Sequence, residues 1–318
     1  MKLVTFVAGS QTRLGAKDGD QIVDLNLAYT TYLACQGETL PYQAGVAAIP
    51  TDLETFLVKG DRAIEAALET LEYVTDLQAK KSPLLGPNGE RICYPEGEVT
   101  LKAPISRPQK IIGIGLNYAE HCAETNSPKL DSIMTFAVFA NAIVGPGENI
   151  IIPKTSFKVD WEAELVFVIG KRGKYIPAER ALDYVAGYTA GNDVSVRDHQ
   201  FADPASTRGK SGDTHAPIGP WIVTKDEIPD PQSLDIAMRV NGVVKQSSNT
   251  CNMIYKVSDL IAFLSTYFTL EPGDLIFSGT PSGVGAARDP QEWLKPGDRV
   301  EVTIEKIGTL TNYCVAEQ

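Results

Sequence analysis

The chain has 318 residues, 43% of them apolar and 22% charged, and a net charge of −11. Such a length and balance allow more core than one minimal domain needs. The acidity argues against nucleic acid or an anionic membrane as partner, since both are held by a basic face. No apolar run approaches the ~20 residues of a membrane span. The five cysteines are scattered, with no C-x-x-C pair, and read as reduced thiols. The N-terminus reads as a strand, with no Arg/Ser-rich segment before it. The expected setting is cytoplasmic.

In chain order, Leu3–Phe6 and Ile22–Leu25 read as short strands with a turn at Asp18–Asp20 between them. Thr51–Glu54 has capping-box spacing and opens a helix. A second helix runs from about Asp61 to Glu72 on an apolar i, i+3/i+4 stripe. The Pro/Gly-rich stretch from Lys80 to Gly89 then interrupts. Nothing in residues 1–104 has the look of chemistry, and a structural or dimerising domain is expected there. From 105 to 318 short apolar strands recur between Gly/Pro turns: Ile111–Leu116, Asn149–Ile152, Ala163–Ile169, Val185–Thr189, Trp221–Thr224, Asp235–Val240, Asp274–Phe277 and Arg299–Ile304. Ala178–Tyr184 and Val257–Thr266 are the best helices, and Asp198–Asp213 reads as a loop over a site. The class is α+β and strand-dominated, without βαβ alternation.

The stretch Val159-Asp-Trp-Glu-Ala-Glu-Leu-Val-Phe-Val-Ile-Gly170 ends as a buried strand. In a strand Glu162 and Glu164 share a face, roughly 7 Å apart. Either that strand end lies in water, or the pair needs protonation, basic partners or a cation. Asp193 follows another strand, and three carboxylates with waters make a hard-cation site of the magnesium or manganese kind, calcium less so. Whether Asp193 meets the glutamates is open at this level. Asp160 is either a further site carboxylate or a strand-entry residue.

His121 and Glu124 are i, i+3 and neighbours on a helical turn, able to act as a general base; a surface histidine is the plain alternative. Arg197 and Lys210 can set positive charge against a substrate carboxylate or enolate. Gly209-Lys-Ser lacks the leading glycine of a P-loop, because Pro204 stands there. The glycine-rich Ser278–Gly285 can bring backbone N–H groups and the Thr280 hydroxyl to an anion, or is a simple turn. His199 and His215 read as structural.

Taken in order, Asn117-Tyr-x-x-His-x-x-Glu, Val144-Gly-Pro-Gly, Asp160-Trp-Glu-x-Glu-Leu, Asn192-Asp-Val-Ser-x-Arg-Asp, Gly209-Lys-Ser, Pro272-Gly-Asp and Ser278-Gly-Thr-Pro-x-Gly-Val-Gly resemble the fumarylacetoacetate hydrolase family over about Lys110–Asn312. The resemblance implies a mixed β-sandwich roll of the family's C-terminal type at 105–318, with a small α/β N-terminal domain at 1–104. It implies Glu162, Glu164 and Asp193 as ligands of Mg²⁺ or Mn²⁺. His121, Glu124 and Lys210 would be catalytic, with the first two on a mobile lid. Arg197, Gln200 and Thr280 would contact substrate, and the chain would form a homodimer. Many relatives carry a lysine where this chain has Val138, so a positive charge is missing here, and the resemblance carries over the metal site but not the identity of the substrate.

The substrate class so implied is a small anionic 1,3-dicarbonyl (diketo) acid, handled through a metal-bound enolate. C–C bond hydrolysis of an acylpyruvate-type substrate is the first expectation. Oxaloacetate tautomerisation or decarboxylation is the second, and a non-catalytic metal- or ligand-binding protein the third.

Overall fold

The computed structural model describes residues 1–127 and 131–318. Two sheets face each other. Among the described residues the larger has twelve strands, and from Lys2–Ala8 its order runs Ala216–Thr224, Val185–Asn192, Ala163–Ile169, Leu275–Phe277, Ile111–Gly115 and, at the end, Met134–Val138. The smaller has five strands, in the order Val243–Asn249, Asp235–Val240, Arg299–Ile304, Gly308–Ala316 and Asn149–Ile152.

Ala163–Ile169 is buried at every residue, which explains its unbroken apolar run. Leu165, Phe167 and Ile169 pack toward Ile236, Met238, Val300 and Val302 of the smaller sheet. Val166 and Val168 share a second cluster with Phe56, Leu57, Ala63 and Ala67 from the N-terminal helices. A strand covered on both faces cannot alternate polar and apolar residues.

The strands of the first segment continue the larger sheet, since Leu3 pairs with Ile222. Two N-terminal helices escape a reading by periodicity, Leu25–Cys35 and Pro41–Ala48. The first starts where a strand is expected to end, because the buried Asp24 side chain accepts the Leu27 N–H as N-cap and pairs with Arg13. The cap of the next helix is Asp52, one residue after the expected Thr51. Asp61–Ala79 runs about two turns past its expected end. Ala178–Tyr184 is a 3₁₀ turn, and the expected loop 198–213 holds short helices at Arg197–Phe201 and Thr207–Lys210. Among the described residues no helix is long and apolar enough to cross a membrane.

Candidate active site

The three carboxylates converge through strand register. Ala163 pairs with Asn192 and Glu164 with Gly191. Just beyond the strand end, the Glu162 N–H donates to Asn192 Oδ1 (2.9 Å) and the Asp193 N–H to the Glu162 carbonyl (3.0 Å). A slip of one residue would turn the glutamates to the opposite face. In register, one oxygen from each of Glu162, Glu164 and Asp193 lies within 4.8 Å of the others, and all three residues are buried.

Compensation for this charge is unequal. The Lys210 ammonium lies 2.7 Å from both Glu162 Oε2 and Asp193 Oδ2, and Arg197 lies 2.8 Å from Glu162 Oε1. Burial opposes the charged form of Glu162, but these cations outweigh it and bring its pKa to about 2. Burial raises Asp193 to about 6, with the neighbouring Glu162 charge adding to the rise and Lys210 opposing it. Glu164 accepts the Gly279 N–H at 2.7 Å. Burial, then the Asp193 and Glu162 charges, push it well above the carboxylate range. Lys210 stays cationic, since the two carboxylates outweigh its burial.

Counting Asp160, which pairs with Arg197 at 2.7 Å, the cluster holds four carboxylates against two cations. The formal excess is two negative charges, the charge of one divalent ion. Three clustered carboxylate oxygens of which one has no counter-charge suit a hard divalent cation, so the residues present fit such an ion.

Across from the cluster stands the short helix Ala119–Glu124. His121 is buried, and its Nδ1 lies 2.7 Å from Glu124 Oε1. The other carboxylate oxygen, Oε2, accepts the Gly283 N–H at 2.8 Å. Helix and glycine-rich loop are also joined at the root. Asn117 Nδ2 donates to the Ser278 carbonyl (2.7 Å) and Asn117 Oδ1 accepts the Tyr255 N–H (2.8 Å).

A cavity of about 290 Å³ lies between helix and cluster, lined by His121, Glu162, Arg197, Gln200, Lys210 and Thr280 together with Ile114, Leu116, Met134, Phe136, Phe201 and Val284. Eight of the nine residues to which the family resemblance gives a site role therefore line this space or belong to the carboxylate cluster beneath it. Glu124 stands behind His121 and lines a separate cavity. Gln200 Oε1 accepts from Arg197 at 3.0 Å. The Thr280 hydroxyl donates to the Ala163 carbonyl (3.0 Å) and accepts from Gln246 Nε2 (2.8 Å), which leaves one lone pair free. Val138 is packed in the core beside Ile111 and does not line the cavity. Phe136 does, with its ring centroid 5.1 Å from Lys210 Nζ.

Sequence reading misses Gln246. It is buried, accepts the Ala163 N–H at 2.9 Å and donates to the Thr280 hydroxyl and the Pro281 carbonyl at 2.8 Å each. It sits on an edge strand of mostly polar, part-exposed residues, and nothing local marks it. Asn192 does carry a signal, its place beside Asp193.

The sandwich and its buried carboxylate cluster define a class of fold, and comparison names it. The fumarylacetoacetate (FAA) hydrolase C-terminal model matches residues 110–315. The chain belongs to the fumarylacetoacetate hydrolase family. It is 42% identical over 321 aligned residues to a mitochondrial oxaloacetate tautomerase of Bos taurus, covering 99% of this chain and 92% of that protein. A mitochondrial oxaloacetate tautomerase of Xenopus laevis is 41% identical, at 98% and 89% coverage. Among solved structures, the fumarylacetoacetate hydrolase of psychrophilic Exiguobacterium antarcticum superposes with a TM-score of 0.77 at 29% identity, over 100% of both chains. A 2-hydroxyhepta-2,4-diene-1,7-dioate isomerase of Mycobacterium marinum gives 0.72 at 31% identity, over 100% of this chain and 99% of that one.

These relatives correct the expectation of a cytoplasmic setting, since the vertebrate ones are named mitochondrial. Composition and free cysteines do not distinguish one compartment from another.

Proposed function

We propose that this chain is a divalent-cation-dependent oxaloacetate tautomerase. Glu162, Glu164 and Asp193 would hold Mg²⁺ or Mn²⁺, His121 and Glu124 would be the acid–base pair, and Lys210, Arg197, Gln200 and Thr280 would face the substrate. The observation that carries the reading is one cavity with a buried carboxylate cluster on one wall and a carboxylate-held imidazole on the other. The choice of tautomerisation over C–C hydrolysis rests on the near full-length relatives that bear that activity in their names.

A bound divalent cation would supply Lewis-acid polarisation of the 2-oxo acid end. The chain's own groups do the rest. With Nδ1–H donated to Glu124, His121 keeps its free lone pair on Nε2. That nitrogen takes the C3 proton of the keto form. The C–H pair becomes the C2–C3 double bond, and the carbonyl π pair moves onto the C2 oxygen, which takes up the proton that the His121 imidazolium gives back, directly or through water, leaving the imidazole neutral again. The carbon skeleton is untouched. The Lys210 ammonium stabilises the charge that develops on that oxygen, and the apolar wall of Ile114, Leu116, Phe136 and Val284 limits water around it.

The test is to follow enol absorbance with oxaloacetate on Mg²⁺- or Mn²⁺-loaded protein, with acylpyruvates and fumarylpyruvate as parallel substrates and product analysis for each. Acceleration of keto–enol exchange without pyruvate formation supports the reading. Cleavage of an acylpyruvate with no acceleration on oxaloacetate would return it to hydrolysis.

A further inference from the structure

We infer that Asp160 is a positioning residue that holds Glu124, and through it His121, by fixing the loop Gly283–Ala286. The kinetic part of this rests on the tautomerase reading; the structural part does not.

Asp160 is fully buried and lies outside the three-carboxylate cluster. Oδ1 accepts the N–H groups of Trp161 (2.8 Å) and Gly285 (2.6 Å). Oδ2 accepts the Ala286 N–H (3.0 Å) and Arg197 Nε (2.8 Å). A carboxylate offers about four lone-pair sites, so these donors saturate it. Nothing remains for a substrate or an ion, and its influence must pass through the groups it holds.

Two of those groups are consecutive amides of the loop. Upstream, the Gly283 N–H is the second partner of Glu124, whose first is His121. The Gly283 carbonyl accepts Trp161 Nε1 at 3.2 Å, so the dipeptide Asp160–Trp161 grips the loop on both sides of Val284. The loop has little freedom to sit elsewhere. Gly283 has φ +105°, and a Cβ there would stand 2.2 Å from the Lys245 carbonyl oxygen. A Cβ on Gly285 would stand 2.7 Å from Asp160 Oδ1 and 2.1 Å from the Glu292 carbonyl oxygen. The amide that orients Glu124 is thus placed by a side chain two residues before Glu162. A carboxylate aligned by two partners presents one fixed edge to the imidazole, which decides the nitrogen that faces the cavity.

The experiment is a double-mutant cycle on the Mn²⁺-loaded protein, Asp160→Asn with Glu124→Gln, read by kcat on oxaloacetate and by amide hydrogen exchange of segments 119–127 and 283–287. Asp160→Asn alone should lower kcat by about 10- to 100-fold. In the Glu124→Gln background it should lower kcat by less than about 3-fold, because both changes break one chain of contacts. Exchange in both segments should quicken together by at least about 10-fold. Gly285→Ala displaces the same loop without altering a charge, and replaces Asp160→Asn in the cycle if that variant does not fold. Losses that multiply in the double variant, or an unchanged 119–127 segment, overturn the inference. A wild-type protein inactive on oxaloacetate removes the proposed function, and the exchange data still decide the role of Asp160.

Discussion

Lys210 Nζ lies 2.7 Å from Asp193 Oδ2 and the same distance from Glu162 Oε2, so one buried ammonium holds two of the three carboxylates to which a cation would bind. Lys210 would therefore compete with an ion bound there, through shared oxygens and like charge. Lys210→Met should bind Mn²⁺ as tightly as the parent or more tightly, by calorimetry, while kcat falls about 100-fold or more from loss of charge stabilisation. Weaker Mn²⁺ binding would make the lysine a support for the cluster instead.

Glu164 is the carboxylate of the cluster whose only bond, among the described residues, is to a backbone amide. In the metal-free protein its charge is repelled by Asp193 and Glu162. Glu164→Gln relieves that repulsion, and the metal-free variant should melt no lower than the parent. Mn²⁺ should raise Tm of the parent and leave the variant nearly unmoved. Thermal melts of both proteins with and without Mn²⁺ decide this, and an equal shift in the two would remove Glu164 from the ligand set.

His121 is held by Glu124 and, among the described residues, hydrogen-bonds none of the three clustered carboxylates. His121→Asn should lower kcat by about 100- to 10,000-fold and leave Mn²⁺ affinity within about 3-fold. Glu124→Gln keeps an acceptor for Nδ1–H and should cost less. Turnover at the parent rate by His121→Asn would end the acid–base assignment.

His215 is buried, with Nε2 2.8 Å from the Ile151 carbonyl oxygen and, among the described residues, no partner for Nδ1. Burial lowers its pKa from 6.5, with the bond to Ile151 opposing the fall. The unfolded imidazole therefore takes up a proton at a higher pH than the folded one. Between those values the unfolded state binds more protons, so stability rises with pH and is lost as pH falls below about 6.5. Urea midpoints at about pH 5 and about pH 8 should show that loss, and His215→Asn should reduce the difference between them. Parallel curves for the two proteins would place the acid sensitivity elsewhere.

Much was written locally. Val166-Phe-Val-Ile169 announces a strand covered on both faces, Glu162 and Glu164 share a face by strand period, and His121 and Glu124 meet by helical period. Each follows from backbone geometry acting over a few residues. The family motifs carry the assignment of Asp193, Lys210, Arg197, Gln200 and Thr280. Where side-chain chemistry overrode local periodicity, reading failed, as with Asp24, which ends a strand and caps the helix Leu25–Cys35.

Tertiary structure alone decided how the charges are balanced. Lys210 reaches Glu162 across 48 residues of chain, and Gly283 reaches Glu124 across 159. Gln246 and the saturated Asp160 became parts of the site only when the sheets and loops met. A residue's period places its side chain on a face; which buried charge finds a partner there, and which is left for an ion, depends on contacts between segments that no local pattern encodes.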